Sequence, residues 1–487
     1  MKIIISFIFS LVFFKLFLFW LWLWQLKEYH LGRFLAHFEG QVFKKIISAF
    51  WRKRFPKFTL KIIAISFAGF SSEIFLIFLI FSKPDREFYF FLLFLLFLAP
   101  IFSSFLFAIF QIPTIIWRGR ILRKAKQKRQ SLENLLVIGI TGSYGKTSTK
   151  EFLATILSAK FNVLKTKEHQ NSEVGISQCV LNDLKPEHEI FIVEMGAYNR
   201  GGIKLLCDIA KPKIGILTGI NEQHMATFGS QDNIIRAKFE LIESLPEDGL
   251  AIFNGNNVHC LQLYQVTEKP KKICYNKFYT ILNHVLLPDI WAEEVNVERT
   301  HISFKVFSKD GRQADFKVNL FGAQNVENIL LAACCAKELG MNLKEISKAC
   351  EKVSPEQGGM KLVRTKDGLN IIDSTYSANP DGVISHLEYL KIWKGKKIIV
   401  MPCLIELGGV SKEIHKRIGE KIGQICDLAI VTTKERFKEI KEGTGEKAIF
   451  LENPKEIFER IKTFCKEDDV VLLEGRIPRE VIEWLSD

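Results

Sequence analysis

The chain has 487 residues, enough for two or three domains that each bury a core of their own. Its formal net charge of +13 would suit a nucleic-acid binder, yet the positive residues gather beside very apolar N-terminal segments, which is the pattern of membrane topology. Nucleic acid is therefore set aside as a partner. All ten cysteines fall between Cys179 and Cys465 with neither C-x-x-C nor Cys/His zinc spacing, which argues for reduced, buried thiols in a cytoplasmic part.

In chain order, residues 3 to 24 ("IIISFIFSLVFFKLFLFWLWLW") come first, long enough to cross a bilayer as one helix and without a signal-peptide cleavage site. Apolar runs at about 60 to 82 and 88 to 116 follow, separated by "SKPDRE", and read as a helical hairpin. Lys44, Lys45, Arg52, Lys53, Arg54 and Lys57 crowd the first loop, and "WRGRILRKAKQKRQ" follows the third run. The positive-inside rule puts both on the cytoplasmic face of the inner membrane, with the N-terminus outside. Lys15 and Glu73 lie near the middle of their spans, at roughly 2.5 to 3.5 kcal/mol each if left alone. Pairing between them is one way out; a snorkelling lysine or a protonated glutamate is the other.

Beyond the basic segment, "NLLVIGITG", "NVLKT", "EIFIVEMGA", "KIGILTGI" and "GLAIFNGNN" alternate with helical patterns, which predicts a doubly wound parallel sheet. Residues 258 to 320 change to alternating strands, expected as a small β region of the same domain. A helix pair ends in "SPEQGGM", and a second α/β series starts near residue 360. The expected layout is a membrane anchor over 1–130, a central α/β domain over 131–356 and a C-terminal α/β domain over 357–487.

Residues 137–152, "VIGITGSYGKTSTKEF", run from a buried strand through a loop into a helix. Gly142, Ser143, Tyr144 and Gly145 let backbone N–H groups converge on a polyphosphate, Lys146 supplies the counter-charge, and Thr147 and Ser148 supply hydroxyls, Thr147 for magnesium. The strict phosphate-loop pattern wants glycine where Ile140 stands. Glu194 ends the strand "FIVE", at the carboxyl edge of the sheet where a metal-facing carboxylate belongs; a solvated strand end is the plainer reading.

Taken together, "GITGSYGKTSTKE", "HQNSEVG", "VEMGA", "TGINEQHMATFGS", "AKFELIE", "FGAQNVENILLAA", "IIDSTYSANPDG" and "IELGGVSKEIHKRIG" resemble the Mur ligase family, most closely its UDP-N-acetylmuramoyl-tripeptide:D-alanyl-D-alanine ligase branch, over about residues 134 to 480. The resemblance implies a P-loop central domain, a Rossmann-like C-terminal domain, and ATP with two magnesium ions. It puts Thr147 and Glu194 on one ion and His224 on the other, with a carbamylated Lys238; a lysine paired with Glu240 is the alternative. Asn325 and Asn328 would face adenine, or cap a helix. Asp373 would meet the nucleotide, and Asn171, Tyr376, Asn379 and Pro380 would shape the substrate side.

The chain departs from the family's pattern at several places. Gly359 stands where an arginine is expected, Ser374 replaces an aspartate, Ser172 an asparagine, and "LLEGR" puts Glu474 where a lysine-glycine-serine run is usual. Arg364 or Arg476 would then compensate for the missing arginine. Membrane helices stand where the family carries a uridine-binding domain. The expected activity is a membrane-tethered, ATP-dependent amide ligase working through an acyl phosphate. Its partners would be a peptide-bearing cell-wall precursor, a dipeptide or amino-acid amine, and membrane lipid. A glutamate-adding synthetase of the same fold and an anchored ATP-binding module without ligase activity are the rivals.

Overall fold

The computed structural model describes residues 1–487 apart from 28, 30, 38–41, 169, 276–286, 376, 377 and 487. The chain divides into two compact units, Met1–Ile121 and Leu122–Asp487.

The first unit is helical. Helices Lys2–Leu26, Leu60–Ile80 and Asp85–Gln130 are each long and apolar enough to cross a membrane. Phe17, Trp20, Leu21, Ile65 and Phe88 fill its core, while Phe67, Phe78 and Phe105 stand exposed on the outside, as lipid-facing side chains would. The third helix is longer than its apolar run, because the basic segment 117–130 is rich in good helix formers and continues it. Pro100 and Pro113 lie inside it. Prolines are tolerated in apolar helices where neighbouring groups re-satisfy the backbone. The proposed Lys15–Glu73 pair does not form. The Lys15 ammonium instead reaches the free carbonyls of Ala49 and Phe50, at 2.7 and 2.6 Å, at the end of a short helix, and Glu73 is buried apart from it.

The second unit holds two sheets. In chain order the first contains β1 (Leu136–Thr141), β2 (Val163–Lys165), β3 (Ile190–Glu194), β4 (Ile214–Leu217), β5 (Leu250–Asn254), β6 (Lys271–Tyr275), β7 (Ile290–Val297), β8 (Ile302–Ser308) and β9 (Gln313–Val318). Their order across the sheet is β2-β3-β1-β4-β5-β6-β7-β8-β9. From β2 to β7 all neighbours are parallel, and β8 and β9 add antiparallel strands. The expected β region therefore extends the main sheet. β3 and most of β1 are buried throughout, which is why they read as unbroken apolar runs. β1 lies between β3 and β4, where the strand order reverses and ligands of such sheets collect.

The second sheet has β10 (Lys361–Arg364), β11 (Asn370–Ser374), β12 (Lys397–Met401), β13 (Leu428–Val431), β14 (Ala448–Phe450) and β15 (Val470–Glu474), ordered β10-β11-β15-β12-β13-β14. Only β10, on the edge, is antiparallel. The helix Lys146–Leu157 that follows the loop packs through Phe152 and Ile156 against Val326, Ile329 and Leu330 of the helix Gln324–Glu338. That contact fixes where both helix starts point.

Candidate active site

β1 delivers residues 142–145 to the start of the helix Lys146–Leu157. Gly145 has φ +75° as its N-cap, and a Cβ there would lie 2.5 Å from Asn328 Oδ1, so only glycine fits. The Ser143 N–H donates to Gly219 O at 2.6 Å, and its hydroxyl accepts from Asn221 N–H at 3.2 Å, which locks the loop to the end of β4. Tyr144 is wedged beside Asn257, whose amide donates to its hydroxyl at 3.2 Å. The Lys146 ammonium folds back on the loop, donating to Gly142 O at 2.9 Å and Ser143 O at 3.1 Å. Burial lowers its pKa, and the charge of Glu194 opposes that. Ser148 follows in the helix's first turn and lines the same cavity.

Glu194 collects donors at the end of β3. Thr147 Oγ1 donates to its Oε2 at 3.0 Å, Asn171 Nδ2 to its Oε1 at 3.1 Å, and the Lys150 ammonium lies 3.4 Å from Oε2. Burial alone would raise this carboxyl, but Lys146, Lys150 and the two donated bonds hold it below the ordinary carboxylate range.

Lys238 is 3 % exposed, with its ammonium 5.8 Å from the centre of the Phe228 ring. Burial, with Lys146 nearby, lowers it to about 7 against the pull of Glu240. Glu240 itself accepts from the N–H groups of Gly201 and Lys204, at 2.5 and 3.0 Å, at the start of the helix Gly202–Ala210. A Lys238–Glu240 pair is therefore not what holds either side chain. His224 has φ +67° and meets Glu406 Oε2 through Nδ1 at 2.6 Å; burial lowers its pKa, and Glu406 opposes.

The helix Gln324–Glu338 is capped by Ala323 without a side-chain bond, so neither asparagine caps it. Asn328 donates to Asn325 Oδ1 at 3.3 Å and accepts from Thr149 at 3.2 Å, while Asn325 donates to Phe321 O at 3.0 Å. Asp373, next to last in β11, accepts from the N–H and the hydroxyl of Thr375. Asn379 caps the helix Pro380–Leu390 and accepts from Asn221, which also donates to Asp381 at 2.9 Å. Pro380 is buried behind that cap, and Tyr376 lies outside the described residues. Arg364, an expected substitute for the missing arginine, is held by Asp468 at 3.0 Å. Lys361, opposite Asp373 in the β10–β11 register, lines the cavity near Gly359 instead.

Between the two sheets lies a cavity of about 1250 Å³, and Lys146, Thr147, Glu194, Asn171, His224 and Asp373 all line it. Chain segments 140–336 and 358–477 match the models of the Mur ligase middle domain and of the Mur ligase glutamate ligase domain. The chain belongs to the Mur ligase family. As a Mur ligase it is an ATP-dependent, ADP-forming enzyme. It is 27 % identical over 361 residues to the UDP-N-acetylmuramoyl-tripeptide–D-alanyl-D-alanine ligase of Bacillus subtilis, covering 72 % of this chain and 75 % of that one. The Acinetobacter baumannii MurF structure superposes with TM-score 0.69 at 25 % identity, over 76 % of this chain and 80 % of that one. The Thermotoga maritima MurF ligase in complex with ADP gives 0.67 at 26 %, over 76 and 83 %.

In this Mur ligase the half-buried Thr147 hydroxyl and the buried Glu194 carboxylate, 3.0 Å apart at the mouth of the phosphate loop, would suit a magnesium ion that keeps most of its waters. Among the described residues no three His, Cys, Asp or Glu side chains cluster as a full metal cage. Lys150, Asn221, Glu327 and Glu406 were not singled out from sequence. Glu327 accepts from Asn254 and Asn256 at 2.8 and 2.9 Å, and burial raises its pKa.

Proposed function

We propose that the protein joins D-alanyl-D-alanine, or a similar dipeptide, to the peptide carboxylate of a cell-wall precursor, while tethered to the inner face of the membrane by three crossings. The observation that carries the ligase chemistry is the single cavity shared by the phosphate loop of one sheet and the Asp373 and Asn379 strand end of the other. Lys146 would leave the carbonyls of Gly142 and Ser143 for the phosphates, neutralising charge as the γ-phosphoryl passes to the carboxylate. The amine then attacks the acyl phosphate and phosphate departs. Thr147 and Glu194 would hold one magnesium ion, His224 and a carbamylated Lys238 a second; when bound, these ions add charge neutralisation at the phosphates. Asn325 and Asn328 would face the adenine, and Asp373 would meet the nucleotide from the C-terminal domain.

Phosphate release by the detergent-solubilised chain is expected to require ATP, UDP-N-acetylmuramoyl-tripeptide and an amine together, with D-alanyl-D-alanine preferred over glutamate. Release without an amine would leave an ATPase, and a glutamate preference would make it a chain-extending synthetase.

The basic residues beside the spans bear on the precursor. Arg52, Lys53, Arg54 and the Arg118 to Arg129 stretch gather positive charge where a lipid diphosphate would lie. A tethered enzyme samples a thin layer in which such a substrate is concentrated. In liposomes the full chain is expected to favour a lipid-linked tripeptide over its water-soluble form. Equal turnover of the two would leave the helices as an anchor only.

A further inference from the structure

Ser374 and His386 line the cavity, and Glu474 meets them from behind its wall. Ser374 ends β11 and Glu474 ends β15, and parallel pairing puts them side by side. The Gly475 N–H donates to Ser374 O at 3.0 Å, and Gly475 has φ +67°, so the chain turns sharply there. His386, on the helix Pro380–Leu390, meets both: its Nδ1 lies 2.7 Å from Glu474 Oε2 and 3.2 Å from Ser374 Oγ.

Glu474 is fully buried, and its Oε1 has no hydrogen-bond partner among the described residues. A carboxylate so placed is costly unless it is paired, and the imidazole is what pairs it. The bond fixes the tautomer: Nδ1–H donates to Glu474, and Nε2 keeps its lone pair. Nε2 makes no protein hydrogen bond among the described residues, and His386 lines the cavity together with Ser374 and Asp373. Ser374 meets the same nitrogen as the carboxylate, whereas a hydrolytic triad would place its serine on Nε2. Other charged groups around the imidazole are Asp373 on β11, Lys361 on β10, and Asp381 and Glu388 on its own helix; none of them hydrogen-bonds the ring among the described residues.

An α-amine reaches a ligase mostly as the ammonium, since its pKa is about 8, and it has no lone pair until a proton leaves. We propose that His386, backed by Glu474, accepts that proton from the amine substrate; this rests on the amide-ligase reading above. The ammonium gives one proton to Nε2, and Glu474 stabilises the imidazolium. The freed lone pair forms the C–N bond, the acyl C–O bond breaks, and phosphate leaves with that electron pair. The second amine proton goes to the departing phosphate, and the imidazolium returns its proton to water. The balance is acyl phosphate plus ammonium giving amide, hydrogen phosphate and one proton.

Hydroxylamine separates this role from a structural one, because it is neutral at pH 7 and attacks an acyl phosphate without a base. ATP- and tripeptide-dependent hydroxamate formation by the unsubstituted chain reports the ligase reading alone. In His386→Ala the ratio of D-alanyl-D-alanine ligation to hydroxamate formation is expected to fall about 10²-fold, the usual scale of general-base catalysis. Added imidazole should recover part of it. In Glu474→Gln the same ratio is expected to fall as well, while hydroxamate formation holds, because the imidazole loses the carboxylate that orients it. An unchanged ratio in His386→Ala or in Glu474→Gln would overturn the proposal.

Discussion

Lys146→Ala and Glu194→Ala are each expected to lower ligation by about 10²-fold or more, the loss that follows removal of one preorganised electrostatic contact to developing charge. Their effects on folding should differ. Among the described residues Lys146 bonds two loop carbonyls, so its removal leaves backbone acceptors that water in the cavity can reach. Glu194 is the partner of Lys150, a side chain that is 0 % exposed and whose other carboxylate is Glu151, 3.3 Å away. Breaking a buried pair by removing one partner costs about 3 to 5 kcal/mol, and here Glu151 offsets part of it. A thermal melt should therefore drop for Glu194→Ala and stay near that of the unsubstituted chain for Lys146→Ala. Near-normal phosphate release by either variant would show that the nucleotide site lies elsewhere.

Those two residues were legible in sequence because their signals are local. A buried strand, a glycine turn and a lysine before two hydroxyls sit within a dozen residues, and a strand ending in Glu194 is one unbroken apolar run. Lys150 carried no such signal: one helical turn after Lys146, it reads as a surface lysine, and its burial follows from where β3 places Glu194. Glu406 was invisible for a related reason. It meets His224 across 182 positions of chain, both with positive φ, and no spacing rule reaches that far. The Lys15–Glu73 expectation failed because sequence gives depth in the membrane but not rotation about the helix axis. Free carbonyls at a helix end then served the ammonium instead. The third helix outran its apolar stretch because hydropathy marks the span, while helix propensity carries the backbone on to Gln130.

Replacing Lys238 by alanine is expected to leave almost no turnover, with partial recovery when a short carboxylic acid such as acetate is supplied at high concentration. The reason lies in what burial does to this amine. An exposed lysine with a pKa near 10.4 is neutral only about once in 10³ molecules at pH 7, whereas Lys238, lowered to about 7, is neutral about half the time. Only the neutral amine adds carbon dioxide, so this lowering is what the proposed carbamate would require. The product is an anion where an ammonium would repel both Lys146 and a metal ion. Activity at limiting bicarbonate should accordingly rise with pH through about 7 and level off above it, because protonation below that value withdraws the reactive form. The alternative of a surface ion pair would be worth only about 0.3 to 0.5 kcal/mol. It also does not suit a side chain that is 3 % exposed while Glu240 is committed to the N–H groups of Gly201 and Lys204. Nuclear magnetic resonance of active protein in isotope-labelled bicarbonate gives the direct check: a carbamate signal should appear and vanish in Lys238→Ala. Full turnover with no such signal would return Lys238 to the role of an unmodified buried amine, and the second metal site would have to be built without it.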